Sequence, residues 1–190
     1  EDDYRFQVKV GKPYNPEEVK KGTKLGRGAK FKCLMSESPM PPNHISGEFQ
    51  AKRDKVRLMA IVVESEHGKL YLSPTQSQED TAKNAQPKWI PDQKMNQNTS
   101  NLVSGRGYGI THWYEIFTPR QLVALTTFSD LVQEAREKVI SDAKKAGWTD
   151  DAFGLDDGGL GATAYGDAIA TFLGLGVGRS ANYCSSFTPW

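Results

Sequence analysis

Cysteine is nearly absent from this 190-residue chain: Cys33 and Cys184 are its only thiols. Two distant thiols do not make a four-ligand zinc site, even with His44, His67 and His112 present, unless widely spaced residues converge. Nothing marks the chain for secretion, so reduced thiols are expected rather than a disulfide. Long apolar runs are missing too, and none approaches the roughly 18 residues that a membrane helix needs. The start, Glu-Asp-Asp, has no basic n-region or apolar h-region. The expected location is cytoplasmic, with no membrane partner. Both ends read as cuts within a longer polypeptide.

Charge of one sign is also lacking, since the formal net charge is +1. The balance hides an asymmetry. Residues 1–60 carry 13 Lys/Arg against 8 Asp/Glu, and the remainder 11 against 15. Much of the excess lies in "KKGTKLGRGAKFK", where Lys20, Lys21, Lys24, Arg27, Lys30 and Lys32 are unaccompanied by any acid. A flexible, Gly-interrupted basic loop suits sequence-independent contact with phosphate, where neutralised charges release counterions. The plainer alternative is a solvated loop.

What is present falls into three stretches. Residues 1–74 read as a β-rich subdomain carrying the basic loop. "YRFQVKV" alternates like a strand, and "AKFKCLM" reads as a short one. "SPMPPNH", with three prolines in seven residues, excludes regular structure. "ISGEFQAKRDK" is ambiguous, with a short helix as one option. "RLMAIVVESEHGKLYLSP" gives a hairpin, with a buried run Leu58 to Val63 and a turn at Glu66, His67 and Gly68. Residues 75–107, rich in Gln, Asn, Ser and Pro, read as a polar surface linker. Residues 108–190 read as helical.

The helical part opens on "YGITHWYEIFTPRQL", in which Tyr108, His112, Trp113, Tyr114 and Phe117 crowd together. Thr118 is the predicted N-cap, with Pro119 at the first helical position. Leu122, Leu125, Phe128, Val132, Ala135, Val139 and Ala143 continue the stripe to a stop at Gly147. A second helix is predicted from about Ala162 to Tyr183, with Tyr165, Ile169, Phe172, Leu173 and Val177 as its apolar face. The two faces are expected to pack on each other as an antiparallel pair. The aromatic stretch has two readings. Ile116 or Phe117 staples onto Leu122 to seat the helix, or Trp113 and Tyr108 stack on bases. His112, with no acid at useful spacing, reads as a packed histidine.

Catalytic chemistry is not legible. There is no Ser-His-Asp or Cys-His arrangement and no metal-spaced His pair. "DDAFGLDD" lacks the ligand order of a calcium loop and reads as a solvated acidic loop. "GLGVG" falls inside a helical pattern rather than after a strand, so Gly174, Gly176 and Gly178 read as close helix packing.

Two strings carry a resemblance: "GYGITHWYEIFTPRQLVALTTFSDLVQEAREKV" and "YGDAIATFLGLGVGRSANYCSSFTPW". They resemble the central segment of the large adenine-specific DNA methylases that contain a zinc ribbon, and "RLMAIVVES" with "GKLYLSPT" resembles the hairpin that precedes it there. The similarity runs from about Gly26 to Trp190. The family transfers a methyl group from S-adenosylmethionine to adenine N6. Its Asp-Pro-Phe-Ala-Gly-Gly-Gly type cofactor loop and its Asp-Pro-Pro-Tyr motif are absent here, so no residue inherits a catalytic or cofactor role. The ribbon's second Cys-x-x-Cys knuckle aligns near Cys33, but Ser36 takes the second thiol's place and "SESPMPPNH" replaces the tight turn. No metal ligand is predicted.

The resemblance implies an α+β insertion domain with a small antiparallel sheet, a degenerate zinc-ribbon-like hairpin and two long packed helices. Its expected partners are the rest of the parent methylase and the DNA phosphate backbone. The expected DNA-contacting residues are Lys20, Lys21, Lys24, Arg27, Lys30, Lys32 and Trp113. The alternative is a packing module of the same methylase without nucleic-acid contact.

Overall fold

A computed structural model describes residues 4–52, 56–98 and 105–186. The architecture is α+β, and the chain forms two compact units. The first comprises Glu1–Ala85 with Asp92–Ile116, the second Gln86–Pro91 with Phe117–Trp190. Among the described residues no helix is long and apolar enough to cross a membrane.

In the first unit, α1 (Pro16–Lys21) precedes two two-residue strands, β1 (Phe31–Lys32) and β2 (Pro39–Met40), paired antiparallel. Helix α2 follows at once (Pro42–Gln50), so regular structure does occupy "SPMPPNH". Proline suits both places: β2 is a two-residue edge strand, and Pro42 sits in the first turn, where its missing N–H has no intrahelical partner. The prolines punctuate two elements instead of excluding them.

The hairpin β3 (Ile61–Ser65) and β4 (Gly68–Leu72) forms in the register set by a two-residue Glu66–His67 turn, from Ile61↔Leu72 to Ser65↔Gly68. Its apolar run is not buried as expected: Met59 and Val62 are exposed and their neighbours half-covered. A two-stranded sheet has no second layer of its own to cover it.

"YRFQVKV" is not a strand. Its alternation finds no ladder partner; the Val8 N–H instead donates to Ser73 Oγ at 2.9 Å. Tyr4 lies edge-on to Phe6 and under the Arg57 guanidinium at 4.6 Å, and Arg57 Nε reaches Glu79 Oε2 at 3.1 Å. Glu79 belongs to a helix the composition concealed, α3 (Gln76–Lys83), inside the expected linker. Thr75 caps it with a capping box: its hydroxyl accepts the Gln78 N–H at 3.3 Å, and its own N–H donates to Gln78 Oε1 at 2.9 Å.

Helix α2 packs on the segment around Tyr108, and Gly109 permits the contact. Gly109 is left-handed (φ 86°), and a Cβ there would lie 2.8 Å from the Ser46 carbonyl oxygen. The buried apolar set of this unit is small: Ala29, Met95 and Ile110.

The second unit is built on α4 (Pro119–Lys145) and α5 (Ala162–Tyr183), which pack on each other as their periodicity predicts. Thr118 and Gln121 form the same Thr-x-x-Gln box as Thr75 and Gln78. The contact runs in opposite senses along the two helices. The Ala162 N–H reaches Thr149 O, Asp167 pairs with Arg136, and any side chain at Gly166 would collide with Ile140. The close approach is at Gly166, against Ile140, and the small residues Ala162, Ala164 and Ala143 are buried. Of the expected face, Tyr165, Phe172 and Leu173 are exposed, while Ile169 and Val177 are half-covered. Gly174, Gly176 and Gly178 also differ from the expectation of close packing: no described atom lies within 4 Å of a Cβ built at any of them.

The acidic loop is not merely solvated. α5 begins at Gly161, which has no side chain to cap it, and Asp150 supplies the missing oxygen. Its carboxylate accepts the Thr163 N–H at 3.0 Å and the Thr163 hydroxyl at 2.9 Å, and meets Lys144 Nζ at 2.7 Å. Asp151 accepts the N–H groups of Phe153 and Leu160, and Asp167 that of Leu155. Lys144 and the Thr163 N–H hold the Asp150 carboxyl well below the usual carboxylate range.

Two outcomes are expected. Thr118→Ala removes a cap hydroxyl and lowers unfolding stability by about 1 kcal/mol in denaturant titration followed by far-UV circular dichroism. Asp150→Asn lowers the melting temperature at neutral pH. Because the folded carboxyl is depressed, its stabilisation is fully present above the unfolded value, about 3.9, and is lost as pH falls through the folded one. The gap between wild type and Asp150→Asn therefore narrows as the melting series is taken into acid.

Candidate nucleic-acid interface

The basic stretch is not a free loop. Lys20 and Lys21 form the last turn of α1, and Gly22, left-handed at φ 57°, turns the chain out of it. Residues 23–32 then fold back on themselves. The Lys32 N–H donates to Thr23 O at 2.8 Å, the Leu25 N–H to Lys30 O at 3.0 Å, and Lys24 bridges to Phe31. Ala29 is buried in the loop that closes this narrow ribbon, while Lys24, Arg27 and Lys30 are exposed along it and Lys20 and Lys21 are exposed at the end of α1. Lys24 Nζ stands 5.8 Å over the Phe31 ring. Lys32 is half-covered and pairs with Glu37 at 3.5 Å, so it is the least available cation of the six.

Beyond β1 the chain makes a tight turn after all. The Cys33 N–H donates to Ser38 O at 2.9 Å and the Glu37 N–H to Cys33 O at 3.0 Å, with Glu37 left-handed. The Cys33 sulfur is engaged by the Ser36 side chain and accepts the N–H groups of Ser36 and Met35, and together these hold the thiol below its ordinary value. Among the described residues no group of three or more His, Cys, Asp or Glu is placed to hold a metal ion. The "GLGVG" stretch lies within α5.

The aromatic stretch is a second built feature of the first unit. A 3-10 turn, Trp113–Ile116, is organised by the buried carboxylate of Glu115. Its Oε2 accepts the N–H groups of Thr111 (2.7 Å) and His112 (3.0 Å) and the Thr111 hydroxyl (3.2 Å), while Lys52 Nζ meets Oε1 at 3.2 Å. Burial pushes the Glu115 carboxyl up, but those N–H groups and the Lys52 ammonium outweigh it and hold it below its ordinary value. His112 thus does have an acid at useful spacing: Glu115 Oε2 is 4.0 Å from Nδ1, which also lies 2.8 Å from Thr111 Oγ1.

The turn is tied to the polar segment by an antiparallel bridge, Lys94↔His112. The Met95 N–H donates to Thr111 O at 2.8 Å, and the Trp113 N–H to Gln93 O at 3.1 Å. Exposed Lys94 therefore stands beside the aromatic turn, and Lys52 lies 5.9 Å from both the Phe49 and Tyr114 rings. Neither lysine is marked by local sequence pattern. Buried Met95 in a polar segment was the available signal that this stretch is anchored. Trp113 itself remains 46% exposed.

Ribbon and aromatic turn are joined by one contact. The Phe31 ring lies 6.4 Å from that of Tyr108, which begins the aromatic stretch. Five exposed cations and an exposed tryptophan, far apart in sequence, are thereby carried by one unit. No protein-family model, curated protein or solved structure matches this chain.

The geometry at Cys33 has a chemical consequence. In the Cys184→Ser variant, the pH midpoint of iodoacetamide alkylation is expected below the value of about 8.5 for free cysteine. The rate at neutral pH is expected to fall in Ser36→Ala, which removes the side chain on the sulfur.

Proposed function

We propose that this chain is the central insertion segment of a large adenine-specific DNA methylase, and that it holds DNA through phosphate contacts without catalysing the transfer itself. The string "FTPRQLVALTTFSDLV" supports the family. The observation that carries the DNA role is the Phe31–Tyr108 contact, which joins the basic ribbon to the aromatic turn. Lys20 and Lys21 end α1, Lys24, Arg27 and Lys30 are presented on the backbone-bonded hairpin that follows, and Lys32 is partly neutralised by Glu37. Such cations position nucleic acid without reading sequence. In this reading S-adenosylmethionine and the catalytic motif belong to the parent enzyme, which the segment joins as a folded part.

A packing role on the parent is the second reading, and α5 favours it. Phe172 is 74% exposed and Leu175 66%, next to glycines with open space around them. An apolar helix face of this kind suits burial against protein.

Binding of duplex DNA by this chain is expected to be indifferent to sequence, on the order of 10⁻⁴ to 10⁻⁶ M at physiological salt, and to weaken steeply as salt is added. Replacing Lys24→Glu, Arg27→Glu and Lys30→Glu together should abolish the gel shift while circular dichroism retains the helices. If wild-type chain gives no shift at low salt, or the triple variant binds as well, the packing reading takes its place. The family reading is tested separately by sequencing the coding region on both sides for the cofactor loop and the Asp-Pro-Pro-Tyr motif.

A further inference from the structure

We infer that Trp113 is a stacking platform for an unpaired base, so that the interface takes DNA with a locally unstacked or single-stranded nucleotide; this rests on the phosphate-contact reading above. Three observations on the first unit converge on it. Trp113 is half-exposed, yet its backbone is held rigidly: its N–H is bonded to Gln93 O, and its turn is closed by the buried Glu115 carboxylate. A large aromatic surface presented on a pre-ordered turn loses little further conformational freedom when a base covers it.

Cations flank it. Lys94 is paired by backbone to His112, the residue before Trp113, and Lys52 neutralises Glu115, so the turn's one acid is compensated. The basic ribbon is anchored at Tyr108 through Phe31, five residues and at most roughly 17 Å of extended chain from Trp113. Phosphate-binding cations beside an exposed aromatic face are what a single strand requires, because the backbone follows the charge while a base lies on the ring. In an intact duplex the base faces are already stacked, and only their edges and the phosphates are accessible. The ribbon alone serves a duplex; Trp113 adds affinity only where a base is free.

The test compares a fifteen-nucleotide oligothymidine with a duplex of equal length in fluorescence and gel-shift titrations on the full chain. Oligothymidine is expected to quench tryptophan emission in wild type, and Trp113→Phe should remove most of that quenching while keeping part of the affinity. Trp113→Ala should lower the ratio of single-strand to duplex affinity by about 5- to 100-fold, the scale of one base–aromatic stack. Far-UV circular dichroism verifies that each variant is folded. Wild type that binds duplex, together with an unchanged ratio in Trp113→Ala, would overturn this inference and leave the phosphate reading standing. Absence of binding to either ligand would overturn both.

Discussion

One buried carboxylate organises the region that matters most. Glu115 is the only acid of the aromatic stretch, and it is placed where two backbone N–H groups, a hydroxyl and the Lys52 ammonium converge. An unpaired charge buried there would be strongly destabilising; with its donors it is a rigid knot. The rest follows from it. The Thr111–His112 backbone bridges Lys94, the N–H of buried Met95 is bonded to Thr111 O, and Trp113 is partly exposed on the turn. The aromatic cluster has its own polar centre in the Glu115 carboxylate.

The second unit solves a different problem by the same means. α5 has a glycine at its N-cap because the backbone of Asp150 passes too close for any side chain there. The capping oxygen then comes from Asp150 itself, eleven residues earlier in the chain than the cap it replaces. Lys144, at the end of α4, pairs with the other oxygen of the same carboxylate, so one side chain ties the end of one helix to the start of the next. Beyond Gly166 the small buried residues end and α5 turns exposed apolar surface outward. The unit is well fixed at its loop end and uncommitted at the other.

Function is divided in the same way. The ribbon presents charge, the aromatic turn presents a ring face, and the Phe31–Tyr108 contact keeps both on one body. In the proposed reading these parts hold a polyanion by its phosphates.

Local pattern determined the elements whose physics is local. The 3.6-residue stripe and the Thr118-Pro119 start defined α4 almost to the residue. The β-branched run around Glu66–His67 defined the hairpin, and the charge asymmetry marked the six cations. Helix α3 was equally legible, since Thr75-x-x-Gln78 repeats the signal of Thr118-x-x-Gln121, but polar composition obscured it. What only the tertiary structure decided depended on partners distant in sequence. The strand expected at "YRFQVKV" lacked a ladder partner, and Glu115 acquired Lys52. Met95 was buried under the aromatic turn, and Lys94 came to stand beside His112. A side chain's type and spacing fix what it can bond to, but which donor or ring arrives within reach is set by how the chain returns on itself.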